Sequence, residues 1–408
     1  DTKDYTQAIK LCDEKITNNS RQKNWCLKTK GQLLLQLKKW NEAEQLFLKV
    51  LNNRPLFWAQ LGYADALAAK ENFSDALIAY QLAYQENSAS LEAYEGAARM
   101  LINLGNPQEA QKILEKISHI SSRSVSRQKL LADVSKINGD FDTAAKASRK
   151  VVRLAENSIH KSAENELDLA DSLTEAALHS SDDRKSKDYA KEAILTIQKT
   201  HRENSDQDIK IQSKLIESRA YHSINDEKNA EKSLESAQNR LKKSGNTSNL
   251  RTQLELAKSY LVAGQKEKAN DLLGELAIKY KDNPEISAKL DKIVDEPITE
   301  SGKNEVIAAN KEGIKMFEAA KYLEAVKCFL KATKNSPKHI GLRLNIVQSL
   351  IFQMKKTGLK KEILLQCDQH LSIVKGISSD HPQNNRYHSL RKTLATINKN
   401  TEKGDKHG

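Results

Sequence analysis

The 408-residue chain has little of what interrupts helices or carries chemistry. Proline occurs six times and glycine fifteen times, and aromatic residues make up 5% of the chain. That suits stacked helices around a long, thin core. Four cysteines, Cys12, Cys26, Cys328 and Cys367, form no CxxC and match no zinc spacing. Cys12 and Cys328 read as small packing residues, and this cysteine usage fits a reducing cytoplasm. There is no HExxH among ten histidines and no glycine-rich phosphate loop. No metal, cofactor or catalytic residue is therefore expected. No apolar run approaches the ~20 residues needed to span a bilayer. Lysine and arginine exceed acids by 66 to 54, a net +12, yet no long basic run exists. The densest is Lys355–Lys361, KKTGLKK. No basic stretch is interleaved with aromatics for stacking bases, so nucleic acid is not an expected partner.

What is present is a repeat. Val306–Pro337 reads as two amphipathic helices joined by a turn. Gly313 and Ala325 let the helices approach closely, while Met316, Phe317, Tyr322 and Phe329 fill the surrounding space. A small residue lies twelve before an alanine at Gly31/Ala43, Ala64/Ala76, Ala98/Ala110, Ala132/Ala144, Ser218/Ala230, Ala257/Ala269 and Gly313/Ala325. Trp40, Phe73, Phe141 and Tyr322 stand three before their alanines. The first intervals are 33, 34 and 34 residues; later ones stretch to 46, 40 and 39. This pattern resembles the tetratricopeptide repeat, a helix–turn–helix unit of about 34 residues. The fold class expected is all-α: an α-solenoid, a right-handed superhelix of stacked helix pairs with about 18–20 helices and no sheet.

The reading divides the chain into a superhelix over 1–294, a linker at 295–304, a C-terminal repeat block with a capping helix at 305–400, and a disordered tail at 401–408. The superhelix opens with a half-repeat at 3–18. Units follow near 24–55, 57–88, 91–120, 125–157, 159–201, 211–243 and 250–283. Asp282-Asn283-Pro284 reads as a break, and DEPITESGKN as the linker.

Candidate binding residues come from the first helices. Trp25 and Trp58 lie 33 residues apart at matching places. Lys28, Gln32, Asp65, Glu95, Arg99 and Asp133 share their face. Trp25, Lys28, Trp58, Asp65 and Arg99 are the expected lining of a groove for a protein or peptide, because aromatic and arginine anchors amid mixed charge suit such a surface. The competing reading packs both tryptophans between repeats. Some repeat proteins of this kind clamp a terminal carboxylate with Lys and Asn. Lys28 fits that scheme, but Gln32 and Asp65 stand where Asn is needed, and Asp65 repels a carboxylate.

Several strings are similar to a narrower group, the repeat regions of bacterial two-component response regulators. They are Trp25-Cys-Leu-Lys28 with Gly31-Gln-Leu-Leu-Leu35, Arg54-Pro-Leu-Phe-Trp-Ala-Gln-Leu-Gly62, Asn157-Ser-Ile-His160, Asn310-Lys-Glu-Gly313, and Leu344-Asn-Ile-Val-Gln348 followed by Gln369-His370-Leu371. The resemblance implies a non-catalytic scaffold, the effector region of a phosphorelay protein. It also implies a receiver domain upstream, of which this chain holds none. Residues 3–18 fit that expectation: Tyr5, Ala8 and Cys12 have second-helix spacing, with no first helix before them. The alternatives are a scaffold of another cytoplasmic or envelope-associated assembly and a nucleic-acid-binding helical repeat.

Overall fold

A computed structural model describes residues 2–18, 22–120, 123–156, 158, 161–244, 248–294, 297–333, 336–358 and 361–404. Among the described residues there are 21 α-helices and no strand. The chain is an all-α solenoid of antiparallel helix pairs. It forms two compact units, residues 1–127 and 128–408.

The first unit opens with α1 (Thr2–Thr17). Three pairs follow: α2 (Lys23–Gln36) with α3 (Trp40–Asn53), α4 (Phe57–Ala69) with α5 (Phe73–Glu86), and α6 (Leu91–Asn103) with α7 (Pro107–Ile120). α8 (Val125–Ile137) starts at its edge and belongs mostly to the second unit. There it pairs with α9 (Phe141–Ala155). Next come α10 (Ala163–His179) with α11 (Asp183–Glu203), α12 (Gln207–His222) with α13 (Glu227–Lys243), and α14 (Leu250–Val262) with α15 (Lys266–Lys279). The chain ends with α16 (Pro284–Asp291), α17 (Glu300–Glu318), α18 (Tyr322–Thr333), α19 (Ile340–Thr357), α20 (Lys361–Ile373) and α21 (Asn384–Gly404). The helix count exceeds the expected range partly through α16. Asn283-Pro284 reads as a break, but Asn283 caps this short helix, accepting from Ile286 N, and Pro284 fills its first turn.

Seven turns within pairs close in one way. Lys38, Glu71, Gly105, Gly139, Asn225, Gly264 and Ala320 all have φ between 55° and 79°. Each stands seven residues after its repeat's small residue. The next amide reaches back five residues, as in Lys39 N to Leu34 O at 2.9 Å and Lys321 N to Met316 O at 2.9 Å. This is a Schellman stop: it satisfies carbonyls the helix end leaves open and reverses the chain. The α10–α11 turn differs. There Asp182 caps α11 by accepting from Arg184 N and Lys185 N, which accompanies the longer helices of that pair.

The small residues act as expected, with a sharper partner. Phe47 is 1% exposed. Its ring lies against both Gly31 and Gly62, where an added Cβ would come within 2.2 and 2.4 Å of the ring. Phe329 sits the same way on Gly313. Both phenylalanines stand four after the repeat alanine, so one aromatic wedge locks two helices. Cys12 holds the equivalent place after Ala8 and is buried. Cys328 is only half-buried, because Phe329 takes the wedge position.

The segment read as a linker is held in place over its described part. Residues 295–296 lie outside the described residues. Asp291 Oδ1 accepts from Ile298 N at 2.7 Å and Thr299 N at 3.0 Å, and Oδ2 accepts from Thr299 Oγ1 at 2.5 Å. Thr299 caps α17 through Gly302 N at 3.1 Å. A buried carboxylate thus recruits the polar residues that made this stretch look loose. At the far end, α21 extends to Gly404, so part of the segment read as a disordered tail is helical; residues 405–408 lie outside the described residues.

Candidate partner-binding groove

First helices pack on one another within each unit: α2 on α4 and α4 on α6 in the first; α10 on α12 and α12 on α14, and separately α17 on α19 and α19 on α21, in the second. The residue just after each small residue falls on one face of these helices. In the first unit those residues are Gln32, Asp65 and Arg99, and all three are exposed. Lys28 is exposed as well. Trp25, on the first turn of α2, is 64% exposed.

Trp58 is placed differently. It is half-buried, with its ring edge-on to Phe47 at 6.4 Å and 69°. The matching places therefore do not give matching roles: α3 supplies Phe47 to receive Trp58. Glu95 is taken up by Arg127, whose Nε lies 2.7 Å from its Oε1. Asp65 accepts from Tyr80 Oη at 2.6 Å. Desolvation raises the Asp65 carboxyl above its usual value, against the opposing pull of the Tyr80 hydrogen bond.

In the second unit the same position is ionic from α8 to α14, and in α17 it is the exposed Ile314. Asp133 follows Ala132, Asp171 follows Ala170, Arg219 follows Ser218 and Lys258 follows Ala257. Arg219 is fully buried. It donates to Asp171 at 3.0 Å and Glu175 at 2.9 Å, and it pairs with Glu255. Lys136 reaches Asp171 at 2.9 Å, and Lys258 reaches Glu255 at 2.8 Å. Burial alone would raise the Asp171 carboxyl; Lys136, Lys258 and Arg219 outweigh it and hold it well below the usual range. Burial works against the Lys258 charge, but Asp171 and Glu255 prevail and raise its pKa. Asp133 is raised by desolvation. Arg251 and Asp168 add a flanking pair at 2.7 Å.

Among the described residues no cluster of three His, Cys, Asp or Glu side chains is placed to hold a metal ion, and no helix is long and apolar enough to cross a membrane.

No family model matches the chain, and no curated protein matches it. Solved structures do. The C-terminal part of a TPR repeat-containing protein from Cytophaga hutchinsonii is 17% identical, with a TM-score of 0.46 over 62% of this chain and 95% of that one. A tetratricopeptide repeat protein from Parabacteroides merdae is 14% identical, with a TM-score of 0.36 over 62% and 97%. MamA is 18% identical, with a TM-score of 0.34 over 45% and 97%. The fold assignment rests on the chain's own helix pairs and turns.

The buried ionic face was the feature missed from sequence. Its signal was present: Arg219 and Lys258 occupy the same register as Asp65 and Arg99. A charge in a repeat pattern reads as solvated until its neighbours are known.

Proposed function

We propose that the open face of α2, α4 and α6 binds a protein or peptide, and that the chain is a non-catalytic interaction scaffold. One observation carries this reading. The register that holds Arg219 and Lys258 in ion pairs leaves Gln32, Asp65 and Arg99 exposed, and Trp25 and Lys28 are exposed on the same helix as Gln32. Exposed tryptophan and arginine are the residue types that anchor interfaces. Trp25, Lys28, Asp65 and Arg99 contact the partner; Trp58 supports them from beneath. Within this proposal the chain is the output region of a cytoplasmic response regulator, which the local strings support. Phosphorylation of a receiver domain then exposes or covers this face.

The test is selection of peptides from a displayed library on the whole chain, followed by titration against Trp25→Ala and Arg99→Ala. Peptides that bind both variants as tightly as the parent refute the groove. The response-regulator role has its own test, the coding sequence ahead of Asp1. A receiver domain with a phosphoacceptor aspartate supports it; any other domain there makes this a scaffold of another assembly.

A further inference from the structure

The positive charge is not evenly spread. Residues 305–400 carry 17 Lys and Arg against 7 Asp and Glu, whereas residues 1–304 carry 47 against 45. Nearly the whole excess of +12 lies in the last quarter of the chain. The ion pairs described above, which neutralise basic side chains, all lie ahead of this block.

The fold then joins three separate pieces of it. Phe317 closes α17, Tyr322 opens α18 and Phe352 lies in α19. Their rings meet at 5.1–5.6 Å, and each is half-buried, so part of this aromatic surface faces water. Lys355 Nζ stands 5.1 Å over the Phe352 ring. Lys356 Nζ stands 5.9 Å over the Tyr322 ring and donates to Ala320 O at 3.2 Å. Lys321 is exposed next to Tyr322. Lys355 and Lys356 rest on rings and a carbonyl, so their charge stays available. A lysine–ring contact is weak, and a phosphate displaces it at little cost.

We propose that this corner binds single-stranded nucleic acid. Lys321, Lys355 and Lys356 neutralise phosphates, and a base stacks on the ring surface of Tyr322 or Phe352. The combination favours nucleic acid over an acidic polypeptide, which needs the cations but not the rings. A linear scan of the sequence finds no such motif, because its parts come from three helices.

The test is fluorescence anisotropy of labelled oligo(U) and oligo(dT) against the whole chain across a salt series. Binding should weaken with salt, the logarithm of affinity falling linearly by ~0.7 per phosphate neutralised. The double variant Lys355→Ala/Lys356→Ala should flatten that slope by roughly 1.4. Tyr322→Leu, and separately Phe352→Leu, should leave the slope unchanged while at least one of them weakens binding roughly tenfold. Circular dichroism identifies any variant that has lost its fold. No binding at low salt overturns the proposal. So does a polyglutamate peptide that binds as tightly as oligo(U) while neither ring variant changes oligo(U) affinity, the result expected of a surface for acidic proteins.

Discussion

The guanidinium of Arg219 on α12 lies 3.0 Å from the carboxylate of Asp171 on α10, and the arginine side chain is wholly buried. Lys136 and Lys258 approach the same carboxylate from α8 and α14. Four successive first helices therefore share one acid. A buried ion pair adds little net stability over an apolar pair, but its loss leaves charges stranded. What it contributes is register, since only one stacking of these helices places three cations on Asp171.

Asp171→Asn should destabilise the second unit by about 3–5 kcal/mol at neutral pH. The pH dependence has a definite sign. An acid whose folded pKa is depressed contributes stability that is complete above its unfolded value of about 3.9 and is lost as pH falls through the folded value. The gap between the parent and Asp171→Asn should therefore be widest near pH 7 and shrink in strong acid. Urea unfolding over a pH series measures it; a gap constant into strong acid would mean that Asp171 carries no paired charge.

Glu71→Gly should stabilise the chain. Glu71 adopts φ 61° at a turn where Gly105, Gly139 and Gly264 occupy the equivalent place. A left-handed conformation costs a side-chain-bearing residue about 1–2 kcal/mol, and the extra chain entropy of glycine offsets part of the relief. A gain of roughly 0.5–1 kcal/mol is expected. Gly264→Ala should lose a similar amount, because an added Cβ meets no atom there and only the backbone term changes. Equal melting temperatures for all three proteins would refute the assignment.

The cysteines should react in order of opening. Burial pushes the Cys367 thiol up to about 12. Cys12 is raised by burial, and Cys328 by burial and then by Glu312. At pH 8 roughly one Cys367 in ten thousand would be thiolate. Cys328, the half-exposed one, should react first with an aromatic disulfide reagent. Cys12, Cys26 and Cys367 should follow slowly and become fast only in denaturant. Four equally fast thiols in the folded protein would contradict this packing.

The architecture was legible because it is written in small residues. Gly31, Ala64 and Gly313 mark where helices must touch, and the turn seven residues later follows from each. The site was less legible. Trp25 and Trp58 look alike in sequence, and only the placement of Phe47 separates them. Asp171 was invisible for a related reason: its pair has longer helices, so its small residue, Ala170, falls outside the twelve-residue spacing that found the others. The polar stretch after Asp291 misled in the opposite direction, since Ile298 and Thr299 donate to its buried carboxylate and Gly302 donates to the Thr299 cap.

The two tryptophans give the sharpest test of the groove. Trp58 packs on Phe47 and the α2–α4 core, so Trp58→Ala should act as a core truncation, costing about 3–5 kcal/mol and lowering the melting temperature. Any loss of partner binding by that variant should follow its loss of fold. Trp25 is 64% exposed, so Trp25→Ala should leave the melting temperature within about a degree or two. Its effect should fall on binding instead, by about 2 kcal/mol or more for a selected peptide. Calorimetry of each variant, with and without peptide, separates the two outcomes. A Trp25→Ala protein that melts like the parent and binds like the parent would leave α2 without an anchor and remove the groove from these helices.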